Sequence, residues 1–450
     1  MKYTGIQSLA GKKILLANFP ADGHFNPLTG IAVYLKQLGC DVRWYSAMEY
    51  AGKIKKLQIH HYPFKNALEV TGTNVDKIFP ERNKIKNAVK KLNFDIQHVF
   101  ILRGTEYYAD IQEIHKHFAF DLLIADCAFS AIPFVREKMN KPVITIGVLP
   151  LTETSKDLPP TGLGMMPAAS IAGKMKQTLL RFAADKILFK KSNRLLHRIL
   201  EAHDIEHNNY SVFDMPVKKS SLLLQSGTPS FEYTRSDMGK NVRFIGLLLP
   251  WLPKRQQQPW FDERLKQYKK VVLLTQGTVE KDVTKLLVPT LEAFKNTDTL
   301  VICTTGGSQT AELKKAYPQS NFIIEDFIPF GEVMPYANVY ITNGGYGGVM
   351  LGIENKLPLV VAGVHEGKNE ICARVGYFNL GINLKTETPT PAQLRQAAEK
   401  VVHDALYKKN VEKLSHEFAR YNPYELVARY AAELIEPTYA ANYKKVLAMA

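Results

Sequence analysis

Asn338-Val339-Tyr340-Ile341-Thr342-Asn343-Gly344-Gly345-Tyr346-Gly347-Gly348-Val349-Met350-Leu351-Gly352 is the stretch whose pattern decides the fold. Val339, Tyr340 and Ile341 suit a buried strand. Four glycines within five positions let the backbone adopt positive φ and come close to a ligand. Val349, Met350, Ile353 and Leu357 then recur at helical spacing. The order is therefore strand, glycine turn, helix. A helix opening from such a turn presents unpaired N–H groups and a partial positive charge, which suits phosphate. A tight turn with no ligand is the plainer reading of the glycines alone. The pattern is neither GxGxxG nor a P-loop, so it supports neither of those families.

Outward from this stretch, strand and helix alternate. Residues 270–275 read as a strand, with Gln276-Gly277-Thr278 as its exit turn. A helix is predicted from Asp282, a strand over 299–304, a helix to about Tyr317 and a strand over 321–325. Residues 359–362 are the next strand, and Gly363-Val364-His365-Glu366-Gly367-Lys368 is its exit loop before a helix to Val375. Upstream, residues 249–260 carry three prolines and a glutamine run, which marks a linker.

The same alternation fills the first half. Residues 13–18 read as a strand, followed by the loop Phe19-Pro20-Ala21-Asp22-Gly23-His24. A helix is predicted from about Asn26, with Pro27 at its first position and Gly39 at its end. Residues 41–46 and 121–125 are strands, with Asp126 immediately after the second. Helical spacing runs over 76–92, 95–118 and 128–139, and strands over 143–147, 221–225 and 242–245. Two doubly wound α/β domains result, with ligand crevices beyond the carboxyl ends of the strands. His24 and Asp126 both fall on that edge in the first half. A loop histidine is commonly just solvated, and an aspartate after a strand commonly caps a helix. The alternative is chemical: Asp126 orients the imidazole while its other nitrogen takes a proton.

Residues 174–198 carry eight Lys and Arg answered by Asp185 alone, with Met175, Leu179, Phe182 and Ile187 on an apolar side. The favoured reading is a surface helix with a solvated charged face. The lesser one is weak peripheral contact with an anionic membrane.

The 450 residues and their net charge of +15 frame these readings. The length suits two domains. The charge favours an anionic partner. Cys40, Cys127, Cys303 and Cys372 form no CxxC pair, which argues against a metal or disulfide framework and for a reducing compartment. Residues 1–13 lack a secretion-signal core, and no apolar run approaches about 20 residues. The expected location is cytoplasmic.

His24 within Gly-His-Phe-Asn-Pro, Gly277-Thr278, Phe327-Ile328-Pro329, Asn343-Gly-Gly-Tyr-Gly-Gly and the Glu366 loop stand in the order of a known family. The chain resembles the GT-B nucleotide-sugar glycosyltransferases of the UDP-glycosyltransferase family, nearest the bacterial natural-product, macrolide-glycosyltransferase-like branch. The resemblance covers nearly the whole chain, best over 12–46 and 270–385. It implies two Rossmann-like domains facing a cleft: an acceptor domain over 1–248, a linker over 249–260 and a donor domain over 261–424. A C-terminal helix, about 425–450, crosses back to the first. The implied reaction is an inverting, metal-independent transfer of a sugar to a hydroxyl of a small lipophilic or aromatic acceptor. No cofactor and no nucleic-acid partner is implied. By position, His24 matches the general base and Asp126 its partner carboxylate. Phe327 matches the aromatic that stacks on the nucleotide base, with Ile328 at the base edge. Gly277, Thr278, Asn343, Gly344, Gly345, Gly347 and Gly348 match the diphosphate cradle, and Glu366 and Lys368 the sugar-binding loop. The family usually has His at 343, Ser or Thr at 348, Glu at 351 and an Asp-Gln pair in the late loop; here stand Asn343, Gly348, Leu351 and Glu366-Gly367-Lys368. These departures leave UDP and dTDP both open as the donor nucleotide. They also leave two rival readings: a transferase acting on membrane lipid, and an inactive sugar-nucleotide binder.

Overall fold

A computed structural model describes residues 6–72, 74–252, 260–277, 279–365 and 367–436. Among these residues, thirteen strands form two sheets. The first contains β1 (Lys13–Ala17), β2 (Asp41–Ser46), β3 (His60–Pro63), β4 (Leu122–Asp126), β5 (Val143–Gly147), β6 (Leu222–Ser226) and β7 (Val242–Gly246). The second contains β8 (Lys270–Thr275), β9 (Thr299–Thr304), β10 (Phe322–Glu325), β11 (Val339–Thr342), β12 (Leu359–Val361) and β13 (Gly381–Asn383). All ladders between named strands are parallel, as strands fed by helical crossovers must be.

The spatial orders are β3-β2-β1-β4-β5-β6-β7 and β10-β9-β8-β11-β12-β13. Each half starts at an inner strand, winds one way, then returns to the other side of that strand. The reversal points are β1/β4 and β8/β11. Helices following the two strands at such a point go to opposite faces, which opens a crevice at the carboxyl edge.

Five helices border or brace these crevices: α1 (Asp22–Gln37), α2 (Ile171–Ala183), α3 (Tyr346–Glu354), α4 (Lys368–Tyr377) and α5 (Pro423–Ile435). The last of these packs onto the first half. Val427, Ala428, Ala431 and Ala432 share a fully buried cluster with Leu28, Ile31 and Leu35 of α1 and Leu16 of β1. The part of the expected C-terminal helix beyond residue 436 lies outside the described residues, as do Pro253 and most of the rest of the expected linker.

Several expected boundaries move. The first helix begins at Asp22, four residues before the expected start, so Pro27 lies inside it and His24 sits in its first turn. Proline costs a hydrogen bond there, but the acidic Asp22 suits the helix start. The helix expected from Asp282 begins at Leu287, because the Asp282 carboxylate bonds Thr284 N and Oγ1 and closes a local turn. That expected over 128–139 is confined to Ile132–Glu137; Pro133 favours this start and Asp126 already occupies the N–H of Ala128. The helix expected over 76–92 is broken at Phe79-Pro80.

Helix α5 approaches α1 through a glycine. A Cβ on Gly30 would stand 2.4 Å from the Tyr424 ring, whose hydroxyl donates to the Leu249 carbonyl at 3.3 Å. The variant Gly30→Ala is expected to displace that ring and cost about 1–3 kcal/mol in urea denaturation, as overpacking does. An unchanged midpoint would show that α5 packing does not depend on this approach.

Candidate active site

The crevice at β1/β4 is built around one carboxylate. Asn18, immediately after β1, accepts from Trp44 Nε1 at 2.8 Å and donates to the Phe19 carbonyl at 2.7 Å, which fixes the exit of the chain. Phe19 N then donates to Asp126 Oδ2 at 2.6 Å, and Ala128 N to Asp126 Oδ1 at 2.8 Å. His24 Nδ1 lies 2.6 Å from Asp126 Oδ1. Asp126 is completely buried, and three N–H groups neutralise the cost of holding it there. A carboxylate that only accepts places the imidazole proton on Nδ1 and leaves Nε2 as the acceptor. The expected imidazole contact is thus present, but the expected cap is not: the helix starts at Ile132 with no side-chain cap, and Asp126 instead holds the N–H of Ala128 in the turn before it. The Phe19 ring meets the imidazole edge-on with centroids 5.4 Å apart, and stacks on Phe100 at 4.7 Å. Burial pushes the neighbouring Cys127 thiol up to about 12, so it stays protonated at neutral pH.

The crevice at β8/β11 is built from backbone. Gly277 and Gly344 have φ of +76° and +84°, conformations that favour glycine. The Asn343 side-chain amide donates to the Gln276 carbonyl and ties the two exit turns together. A Cβ on Gly344 would stand 2.4 Å from Cys372 Sγ. Gly348 faces the Tyr340 hydroxyl, 3.1 Å from where its Cβ would be. By contrast, a Cβ on Gly345 or Gly347 would meet nothing within 4 Å. Two of the glycines therefore serve packing and two border open space. Gly345 begins α3 with no side-chain cap, so the first N–H groups of that helix have no capping side chain.

Phe327, past β10, is 70% exposed, whereas Ile328 is buried. Among the described residues, no protein group pairs with the backbone N–H or carbonyl of Ile328. Lys368 opens α4 beside Gly363, whose Cβ would stand 3.1 Å from that of Lys368. Thr278 and Glu366 lie outside the described residues. Helices α1 and α3 touch, which brings the elements carrying His24 and the glycine turn to one cleft. Tyr346 Oη crosses it to donate to the Ser226 carbonyl at the end of β6, at 2.7 Å.

Residues 289–433 match the family model described as "Erythromycin biosynthesis protein CIII-like, C-terminal domain". Over 410 residues the chain is 30% identical to 4'-demethylrebeccamycin synthase of Lentzea aerocolonigenes, covering 91% of this chain and 96% of that one. The chain belongs to the UDP-glycosyltransferase family. It is also 28% identical over 447 residues to UDP-glycosyltransferase 2 of Phaeomoniella chlamydospora, with 95% and 97% of the two chains covered. The crystal structure of CalG4, the calicheamicin glycosyltransferase, shares the fold with a TM-score of 0.69 at 18% identity, covering 94% of this chain and 98% of that one. The protein is a GT-B glycosyltransferase that uses a nucleotide sugar.

The glycosyltransferase also carries a buried ionic network that its sequence pattern did not announce. Glu370 Oε1 accepts from the N–H groups of both Gly162 and Gly164 at 2.9 Å, and Asn369 Nδ2 donates to the Gly162 carbonyl at 3.1 Å. Gly162 and Gly164 have φ of +91° and +62°. The loop that precedes α2 is thereby pinned to the first turn of α4. Arg374, buried, donates to Glu370 Oε2 at 3.2 Å and to Glu232 Oε1 at 2.5 Å. Arg235 joins the same Glu232 oxygen at 3.2 Å. The only signal in the sequence was a Glu370/Arg374 spacing of four on a helix, common on exposed faces. Replacing Glu370 by alanine should free the loop. Faster amide exchange at Gly162 and Gly164 is expected, with a stability loss of about 1–3 kcal/mol for the unpaired groups. Unchanged exchange at those two amides would show that the loop is held by other contacts.

Proposed function

We propose that the enzyme transfers a sugar from a nucleoside diphosphate to a hydroxyl of a small lipophilic or aromatic acceptor, with inversion and without a metal. The observation that carries this reading is the His24 Nδ1–Asp126 contact at 2.6 Å, at the mouth of the first crevice. His24 Nε2 takes the proton of the acceptor hydroxyl while the hydroxyl oxygen attacks the anomeric carbon. The bond from that carbon to the diphosphate oxygen breaks on the opposite face. Asp126 holds the ring and stabilises the imidazolium that forms. The leaving diphosphate is held by N–H donors where α3 opens at Gly345 and Gly347, with Gly277, Thr278, Asn343, Gly344 and Gly348 shaping the cradle. Phe327 stacks on the base and Ile328 offers its backbone to the base edge. Glu366 and Lys368 hold the sugar. The Phe19 ring beside His24, backed by Phe100, suits an apolar acceptor. In this reading residues 1–248 and α5 hold the acceptor and residues 261–424 the donor.

His24→Ala is expected to lower kcat/KM by at least about a hundredfold with donor affinity nearly unchanged. Normal turnover in that variant would end the mechanism. Asp126→Asn keeps the shape of the side chain but loses the charge; a loss of tenfold or more, about 1.4 kcal/mol, is expected in turnover. If activity follows only the melting temperature, Asp126 serves structure alone, by holding the N–H groups of Phe19 and Ala128.

The donor nucleotide follows from Leu351. This residue is half-buried against the second core and offers no hydrogen bond to a ribose hydroxyl. A carboxylate there would leave a polar group unpaired against a deoxyribose, at about 1–3 kcal/mol. Without it, dTDP-sugars should be accepted at least as well as UDP-sugars. Competition binding of dTDP and UDP decides this. A UDP preference of about tenfold or more, or about 1.4 kcal/mol, would reveal a ribose contact elsewhere.

A further inference from the structure

Helix α2 is amphipathic the wrong way round for a helix packed on a protein. Its one buried residue is Gln177, which donates to the Met166 carbonyl at 2.9 Å. Arg181, a turn later, donates to the Leu158 carbonyl at 2.6 Å. Ile171, Met175, Leu179 and Phe182, together with Ile187 just beyond, are between 63% and 81% exposed. The first four are spaced by four, four and three residues and so form one stripe. The expectation that the apolar side packs inward while a charged face meets solvent is reversed: polar groups hold the helix to the loop, and the stripe points away.

A continuous exposed apolar stripe on a folded domain marks an interaction surface. Its surroundings select the partner. At about 100° per residue, Lys174 and Lys176 fall on opposite flanks of the stripe. Lys190, Lys191 and Arg194 extend the positive field along the next helix, and all five are exposed. Over residues 165–200 the one acidic residue is Asp185, already paired with Lys186 at 2.7 Å. An apolar stripe flanked by cations matches a surface with acyl chains beneath an anionic layer, and does not match an ordinary neutral apolar groove.

We propose that α2 is a docking surface for an anionic phospholipid bilayer. The apolar stripe enters the acyl boundary and the flanking lysines meet the headgroups. The position gives this a use. Helix α2 comes after the loop whose Gly162 and Gly164 are pinned across the cleft by Glu370, and Ala184 and Phe189 just after it share a buried cluster with Ile96 and Ile101. Phe100, between those two, stacks on Phe19, whose ring in turn meets His24 edge-on. A bilayer touching α2 is therefore continuous, through one packed segment, with the crevice where an apolar acceptor enters. The docking itself does not depend on the role assigned to His24.

The test is sedimentation of the full protein with vesicles of phosphatidylcholine alone and with about 30% phosphatidylglycerol added. The native protein is expected to sediment with the anionic vesicles and to remain in solution with the neutral ones. The double variant Leu179→Ser/Phe182→Ser keeps every charge and is expected to weaken anionic binding about tenfold or more. Lys174→Gln/Lys176→Gln should weaken it similarly while keeping the stripe. Because all four positions are exposed and outside the proposed catalytic machinery, turnover of a water-soluble acceptor should be unchanged in both, which shows the variants are folded. Ile171→Ser/Met175→Ser serves as a second apolar variant with the same expected loss. Failure of the native protein to bind anionic vesicles overturns the proposal. So does binding that the serine variants leave intact, which would be unspecific attraction of a basic protein. Self-association abolished by the serine variants, without vesicle binding, would assign the stripe to a second copy of the chain and also overturn it.

Discussion

Everything in this molecule depends on where its two parallel sheets reverse their winding. In each half the chain begins at an inner strand and later returns to that strand's other side. The exits of β1 and β4, and of β8 and β11, therefore stand next to each other with no helix between them. Residues distant in sequence become neighbours: His24 and Asp126 are 102 positions apart and Gln276 and Asn343 are 67 apart, yet each pair is hydrogen-bonded. One crevice is lined by an oriented imidazole and aromatic rings. The other is lined by backbone N–H groups and positive-φ glycines. The first suits removal of a proton from an apolar alcohol, the second the arrival of negative charge on a leaving diphosphate.

The two crevices face each other because polar contacts hold the halves in register. Tyr346 reaches Ser226, Glu370 holds Gly162 and Gly164, and Arg374 meets Glu232. Buried charges are costly unless each has several partners. Arg374 meets this condition with two carboxylates and a backbone carbonyl. Removing one member would strand the others, so this network fixes position more than it adds stability. Helix α5 closes the arrangement by burying alanines against α1, where only small side chains allow so close an approach.

Buried strands were legible in the sequence because both of their faces are covered, so they read as unbroken apolar runs. Two of the four edge strands were not. His60–Pro63 has no fully buried residue, and Gly381–Asn383 is only three residues long. The start of α1 was missed because Pro27 looked like a first position when it is an interior one. The shared edge of His24 and Asp126 followed from strand order, and the structure places them in contact. The glycine turn was legible as a whole, but not the division of its glycines between packing and open space, since that depends on Cys372 and Tyr340. The orientation of α2 was misread. Periodicity reveals that a helix has two faces, and cannot tell which faces the protein when Gln177 and Arg181 supply the inner contacts.

The central claim is that an oxygen activated at His24 displaces the diphosphate in a single step across the cleft. The anomeric configuration of the purified product, compared by NMR with that of the sugar donor, tests it most directly. One displacement from the opposite face predicts inversion at the anomeric carbon. Retention of configuration would require two displacements or a reaction on one face, and would contradict the mechanism derived from this site.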